Sequence, residues 1–219
     1  MSNLRTIKKL SIAVIGIGYV GLPLSVEFGK KYNTIGFDIN KDRISDLKKF
    51  HDKTKEVSKN EIKKSKHIKF SSNPDDLKNI NIYIVTVPTP ILKNNIPDLR
   101  PIKKATMLIS KYINKTNIVI YESTVYPGLT EEVCVKILEK KSGLAYNKDF
   151  YCGYSPERIN PGDKKNKIYN ISKVVSGSNK KTLEIIFKLY SSIIKARVYK
   201  AESIKVAEAA KVIENTQRD

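Results

Sequence analysis

Short, almost wholly apolar runs alternate along this chain with longer stretches whose apolar positions recur every three or four residues. LSIAVIG (10–16), TIGFDI (34–39), HIKFSS (67–72), INIYIVTVPTP (80–90) and NIVIYESTV (117–125) are of the first kind and predict strands. YVGLPLSVEFGKKY (19–32), NKDRISDLKKF (40–50), NPDDLKN (73–79), residues 102–113 and PGLTEEVCVKILEKK (127–141) are of the second and predict helices. Asn40, the Asn73-Pro74 pair and Pro127 supply helix-start chemistry, and residues 93–101 read as a loop. After Gly143, strands are expected at YCGYSPE and KVVSGS and a short one at ARVYKA, with an irregular stretch, RINPGDKKNKIYN, after the first and a helix over 179–194. Strands that alternate with helices and are apolar on both faces predict an α/β fold, a Rossmann-type doubly wound parallel sheet. The closing segment, AESIKVAEAAKVIENTQRD (201–219), predicts an amphipathic helix with no glycine or proline to stop it.

Composition changes this picture little. No window approaches the eighteen or so consecutive apolar residues of a membrane span, and two cysteines, Cys134 and Cys152, are too few for a disulfide framework. A cytoplasmic protein is the expectation. Charge is the unusual quantity: 41 basic against 22 acidic residues give +19. Only six of the basic residues are Arg, and the lysines are spread along the chain without interleaved aromatics. Base readers favour the bidentate arginine fork, so this excess reads as a solvated basic surface and no nucleic-acid partner is expected. Cys134 falls inside a predicted helix and Cys152 inside a predicted strand, so both read as small buried hydrophobes. With only His51 and His67, both in lysine-rich surroundings, neither a metal cluster nor a Cys-His or Ser-His arrangement is expected.

The candidate chemistry begins at GIGYVG. Gly16, Gly18 and Gly21 form G-x-G-x-x-G between a predicted strand and a predicted helix, the pattern that cradles a dinucleotide pyrophosphate at a helix N-terminus. Asp38 follows Gly16 at the end of the second strand, where a carboxylate can accept hydrogen bonds from both ribose hydroxyls of an adenosine. A 2′-phosphate would meet its negative charge, which favours NAD over NADP. The nearby Arg43 keeps the second cofactor open, since it could receive that phosphate.

VIGIGYVGLPLSVEFGKKY, IGFDINKDRI, VTVPTP, ESTVYPG, SPERINPGD and EAAKVIENTQRD together resemble the UDP-glucose/GDP-mannose dehydrogenase family, the nucleotide-sugar 6-dehydrogenases, in the family's own order. SPERINPGD looks more like the branch acting on UDP-N-acetylglucosamine and UDP-N-acetylgalactosamine, which feeds polysaccharide and capsule synthesis. It also argues against another dehydrogenase of the same broad fold, such as a hydroxyacyl-CoA or 6-phosphogluconate enzyme. The UDP-glucose branch carries a second glutamate shortly after SPEF; position 161 here is Pro, so that role is not carried over.

The resemblance implies an NAD-binding Rossmann domain over 1–198, the start of a central interdomain and dimerisation helix over 199–219, and a C-terminal UDP-binding domain that is absent. It implies a four-electron oxidation of a primary alcohol at C6 to the uronic acid through a cysteine thioester. Tyr19, Val20, Asp38, Arg43, Thr89 and Thr124 map onto cofactor contacts, alongside Gly16, Gly18 and Gly21. Glu157 maps onto the base for thioester hydrolysis, with Arg158 and Ile159 beside it in the sugar site. Lys211 maps onto the lysine that stabilises the developing oxyanion, and Asn215 and Arg218 onto substrate contacts. From the residues alone, Thr89 and Thr124 also suit turn hydroxyls, Glu157 a helix cap, and Lys211 with Asn215 a solvated polar stripe.

The family's nucleophile lies in a G-x-G-F/V-G-G-x-C segment that this chain lacks. The expectation is therefore a truncated dehydrogenase that binds NAD without completing the oxidation. The alternative is a non-catalytic NAD-binding fragment, or one half of a split enzyme that needs a separate C-terminal partner. A helix ending at 219 is expected to expose apolar positions such as Ile204, Ala207 and Ile213, through which a homodimer or that partner would associate.

Overall fold

In the computed structural model residues 10–93, 96–158 and 167–218 are described, the last four by their backbone. The apolar runs form strands β1 (Ser11–Ile15), β2 (Asn33–Phe37), β3 (Ile68–Ser71), β4 (Ile82–Val85), β5 (Ile118–Tyr121) and β6 (Tyr151–Tyr154), followed by β7 (Lys173–Gly177) and β8 (Val198–Lys200). They make one eight-stranded sheet in the order β3-β2-β1-β4-β5-β6-β7-β8. The first six are parallel; β7 pairs antiparallel with β6 through Gly153↔Gly177, and β8 runs parallel to β7. The chain thus extends a parallel sheet with a reversed pair at one edge.

Helices cover both faces. They are α1 (Gly21–Gly29), α2 (Lys41–Lys48), α3 (Lys59–Lys64), α4 (Arg100–Ile109), α5 (Lys136–Ser142, continuous with a π-helical stretch at Thr130–Val135), α6 (Lys180–Ser191) and α7 (Ile204–Arg218). Period-two alternation divides β1 between two cores: Ile12 and Val14 pack with Leu22 and Phe28 of α1 and Leu189 of α6, and Ala13 and Ile15 with Ile102 of α4 and Leu138 of α5. Because every side chain of β4 and β5 is buried on one face or the other, these strands read as unbroken apolar runs.

Several elements differ from expectation; α4, for one, runs over Arg100–Ile109 and not 102–113. The Asn73-Pro74 signal starts only a 3₁₀ turn, Pro74–Leu77, since one buried residue, Leu77, is too little to hold a longer helix. Helix α3 was not expected, although Ser58 and Glu61 form a reciprocal capping box that fixes its start. The closing helix begins at Ile204, where the Ser203 hydroxyl accepts from Val206 N at 3.2 Å, so residues 201–203 lie outside it.

The expected exposure of the closing helix is corrected in part. Ile204 and Ala207 are buried in the second core, because α7 folds back against β6 and β7; Ile213 is exposed, with Val206 and Val212. Glu208, fully buried on the same helix, accepts from Gly128 N at 2.5 Å and Thr130 N at 3.0 Å. Its carboxylate caps the helical segment that begins at Thr130 and ties α7 to the Rossmann domain. No helix among the described residues is long and apolar enough to cross a membrane.

Candidate functional site

The sheet order reverses between β1 and β4, and the crevice outside the carboxyl ends of such strands is where ligands bind in open α/β sheets. A cleft of about 330 Å³ opens there, lined by Gly16, Gly18, Tyr19 and Val20 after β1, Asp38 after β2, Thr86–Thr89 after β4, Glu122–Thr124 after β5, and Glu157 after β6.

The glycine loop is built for close approach. Gly16 has φ +96°, a left-handed conformation that a side chain would strain. A Cβ on Gly21 would sit 1.9 Å from the Gly16 carbonyl oxygen, so α1 packs on the loop only because position 21 has none. The Thr86 hydroxyl donates to the Gly16 carbonyl at 2.7 Å, pinning the loop to β4. A Cβ on Gly18 would meet nothing within 4 Å, so this part of the cradle faces the open cleft.

Asp38 and Arg43 bracket one residue of the loop. Asp38 Oδ2 accepts from Ile17 N at 2.8 Å, and Arg43 Nε donates to Ile17 O at 2.9 Å. Arg43 does not line the cleft. Its Nη1 donates to Asp52 Oδ1 at 2.7 Å, and the Asp52 side chain is 1% exposed. Burial alone would raise the Asp52 carboxyl; hydrogen bonds from Thr54, Val57 and Arg43 outweigh it and hold the group below the usual carboxylate range.

The cleft fits a dinucleotide on observations of its own. The Thr89 hydroxyl is buried with no hydrogen-bond partner among the described residues, the Gly18 backbone has open space beside it, and the Asp38 carboxylate lines the cleft after β2, as an acceptor for ribose hydroxyls requires. Thr124 is exposed in the lining, and Tyr19 lies across from Glu157; burial, then the Glu157 charge, push the Tyr19 phenol up.

Beyond the inner end of the cleft lies a buried charge network. Lys173 Nζ donates to Glu122 Oε2 at 2.5 Å and to Pro156 O at 3.3 Å, and lies 3.7 Å from Glu157 Oε2. Tyr190 donates to the other Glu122 oxygen. Burial pushes the Glu122 carboxyl up against the pull of Lys173. Burial opposes the charge on Lys173, yet Glu122 and Glu157 raise its pKa and keep it protonated. Sequence reasoning missed both partners. Glu122 stands in ESTVYPG at the end of an apolar strand, which is a signal; nothing local marks Lys173, 51 residues away, as its counter-ion.

Beside Glu157, α7 meets the segment after β6. Lys211 donates to the Glu157 carbonyl, and Arg158 Nε pairs with Glu214 Oε2 at 2.9 Å. Lys211, Glu157 and Arg158, predicted from separate stretches of sequence, are thus brought together. Ile159 lies outside the described residues, as do the side chains of Asn215 and Arg218. Cys134 and Cys152 are fully buried, away from the cleft. Burial pushes the Cys134 thiol up to about 11 and Cys152 well above the ordinary thiol value. No metal-binding group of His, Cys, Asp and Glu occurs among the described residues.

Comparison with known proteins agrees with this geometry. The chain is 58% identical over 212 residues to UDP-N-acetyl-D-glucosamine 6-dehydrogenase of Pseudomonas aeruginosa, covering 97% of this chain and 50% of that protein. It is 58% identical over 209 residues to the protein CapL of Staphylococcus aureus, covering 95% and 49%. Among solved structures, UDP-D-ManNAc dehydrogenase from Pyrococcus horikoshii superposes with a TM-score of 0.85 at 30% identity, covering 95% of this chain and 50% of that one. The chain spans about half the length of the curated relatives it matches. Residues 10–194 match the model of the NAD-binding domain, and the chain belongs to the UDP-glucose/GDP-mannose dehydrogenase family, with NAD as its cofactor.

Proposed function

We propose that the chain is the NAD-binding half of a UDP-N-acetylhexosamine 6-dehydrogenase, with residues 1–198 as the nucleotide domain and 199–219 as the start of a helix leading toward the UDP-binding part. The observation that carries this reading is the hydrogen bond from Lys211 on α7 to the carbonyl of Glu157, a residue that lines the nucleotide cleft. The name of the Pseudomonas aeruginosa relative, 58% identical, supports the choice of sugar nucleotide. NAD, when bound, accepts hydride from C6 of the sugar. This chain's residues do the rest of what is at hand. The glycine loop and Asp38 would hold the dinucleotide in a cleft that Glu122 and Glu157 also line. Lys211 is buried, and its ammonium donates to the Glu157 carbonyl; a fixed cation held there would stabilise negative charge developing on a substrate oxygen. Glu157, whose carboxylate lies toward Lys173, is the base that activates water. A buried thiol such as Cys134 or Cys152 does not supply a nucleophile, so the thioester-forming cysteine comes from other residues.

The test is reconstitution. The chain alone is expected to bind NAD+ by calorimetry and to form no uronic acid from UDP-N-acetylglucosamine or UDP-N-acetylgalactosamine. Adding a C-terminal half that carries the cysteine motif is expected to start NADH formation. Steady uronic acid production by the chain alone would overturn the division of labour. A mixture that stays silent although NAD+ binds and the halves associate would favour the non-catalytic NAD-binding module.

A further inference from the structure

NAD and NADP differ by one phosphate on the adenosine ribose, and the residues that meet that position are Asp38 and its neighbours. Asp38 repels a phosphate. Arg43, five residues on, has the planar fork that would bind one. The structure shows what prevents it. Three of the acceptor contacts of Asp52 converge on Oδ1, from Arg43 Nη1 at 2.7 Å, Thr54 N at 3.0 Å and Thr54 Oγ1 at 2.7 Å. Oδ2 accepts from Glu56 N at 2.9 Å and Val57 N at 3.0 Å. The loop from 52 to 57 is therefore folded around one buried carboxylate, and that carboxylate is aimed at the guanidinium. Arg43 Nε is committed to Ile17 O, and the Arg43 side chain is 10% exposed.

We propose that Asp52 is a specificity-determining residue for the nucleotide: by holding and neutralising the Arg43 guanidinium beneath the glycine loop, it withholds from the ribose edge the cation that a 2′-phosphate would require. Swinging Arg43 outward would leave the Asp52 charge buried and unpaired, which is strongly unfavourable. The same lock keeps Arg43 on the Ile17 carbonyl, so it holds the pyrophosphate loop in shape while it excludes the phosphorylated cofactor. Selectivity then has two layers. Asp38 acts directly, and Asp52 acts through Arg43. The inference rests on the cleft binding the dinucleotide as described above, with the adenosine ribose at Asp38.

The experiment measures dissociation constants of NAD+ and NADP+ by calorimetry for the full chain and for Asp38→Ser, Asp52→Asn, the double variant, and the double variant with Arg43→Gln. The Asp52→Asn change keeps a carbonyl for the Glu56 and Val57 amides and turns a non-acceptor amide toward Arg43 and Thr54 N, releasing the guanidinium. Asp38→Ser alone is expected to raise NADP+ affinity relative to NAD+ by less than about threefold, because Arg43 stays neutralised. The double variant is expected to exceed the product of the single effects by about tenfold or more, the size of a charge-assisted bond regained, and Arg43→Gln is expected to abolish that gain. Independent single effects, or a gain that survives Arg43→Gln, would overturn the role of Asp52. Should Asp52→Asn unfold the loop and abolish NAD+ binding, a second pair decides with Asp52 intact. Asp38→Ser and Asp38→Ser/Arg43→Gln are expected to show the same NADP+ to NAD+ ratio within about threefold, and a larger drop would mean that Arg43 already serves the phosphate. Absence of NAD+ binding by the unaltered chain would sink the cofactor reading and this role with it; normal NAD+ binding with flat ratios sinks the role alone.

Discussion

Replacing Glu208 by Ala tests whether α7 is fastened to the Rossmann domain by one carboxylate. In the structure that carboxylate is fully buried and accepts from Gly128 N and Thr130 N, two amides at the start of a helical segment that have no helical acceptor of their own. Alanine leaves both unsatisfied. Each orphaned buried amide costs about 1–3 kcal/mol, and loss of the anion at a helix start adds about 0.5–1 kcal/mol. Removing the buried carboxylate also relieves its own desolvation, the first cause pushing its pKa above the ordinary glutamate value, so part of this is returned. A net destabilisation of about 3 kcal/mol is expected, which for a chain of this length lowers Tm by roughly 6–12 °C. Thermal unfolding followed by circular dichroism measures the total, and hydrogen exchange at the Gly128 and Thr130 amides locates it. A Tm shift below about 2 °C, with those two amides as protected as before, would refute the reasoning. It would mean that Ile204 and Ala207 hold the helix by apolar burial alone, which for one isoleucine side chain is about 1.5–3 kcal/mol.

Other outcomes follow from the same structure. Lys173→Met strands the Glu122 carboxylate in the core and is expected to destabilise the chain by about 3–5 kcal/mol in urea unfolding, whereas Glu122→Gln/Lys173→Met together cost much less; equal losses would show that the pair is not coupled. With its thiol pushed up to about 11, Cys134 is about one-thousandth thiolate at pH 8, and Cys152 is less reactive still. A thiol reagent is therefore expected to label neither until the chain is unfolded, and stoichiometric labelling of the native chain would contradict the burial. Asp52 has a folded pKa below its unfolded value, so its contribution is present above the unfolded value and is lost as pH falls through the folded one. The stability gap between the unaltered chain and Asp52→Asn is accordingly expected to be full at pH 7 and to shrink once the pH drops below the ordinary carboxylate value of 3.8. A gap that stays constant into acid would show that the carboxylate is no more acidic in the fold.

What the sequence makes legible is set by how locally each feature is encoded. Strands buried on both faces must be apolar at every position, so β1, β4 and β5 stand out as runs, and the glycine loop stands out because its backbone demands residues of one kind. The reversed direction of β7 leaves no such trace: KVVSG would read the same in either orientation. Helix α3 was readable in principle, since the Ser58 and Glu61 spacing is a capping box, but a six-residue helix with one buried side chain gives periodicity nothing to act on. The face of α7 was misjudged because amphipathicity says that a stripe will be covered without saying by what; here the sheet covers Ile204 and Ala207.

The polar partners are the least legible layer. Glu122 meets Lys173 across 51 positions, Glu208 meets Gly128 across 80, and Lys211 meets Glu157 across 54. Each pair joins the end of one strand or loop to a residue that the winding of the sheet delivers from far away. Motifs name the half of a site that is local, such as a glycine loop and the acid after the next strand. The fold supplies the half that tunes it. Arg43 shows the difference. Its sequence position five residues after Asp38 is compatible with either dinucleotide, and the proposed withholding of its charge from the ribose edge rests on the loop that brings Asp52 against its guanidinium. A reading of cofactor preference from motif residues alone therefore stops one residue short, because the electrostatics at the ribose depend on what holds the arginine.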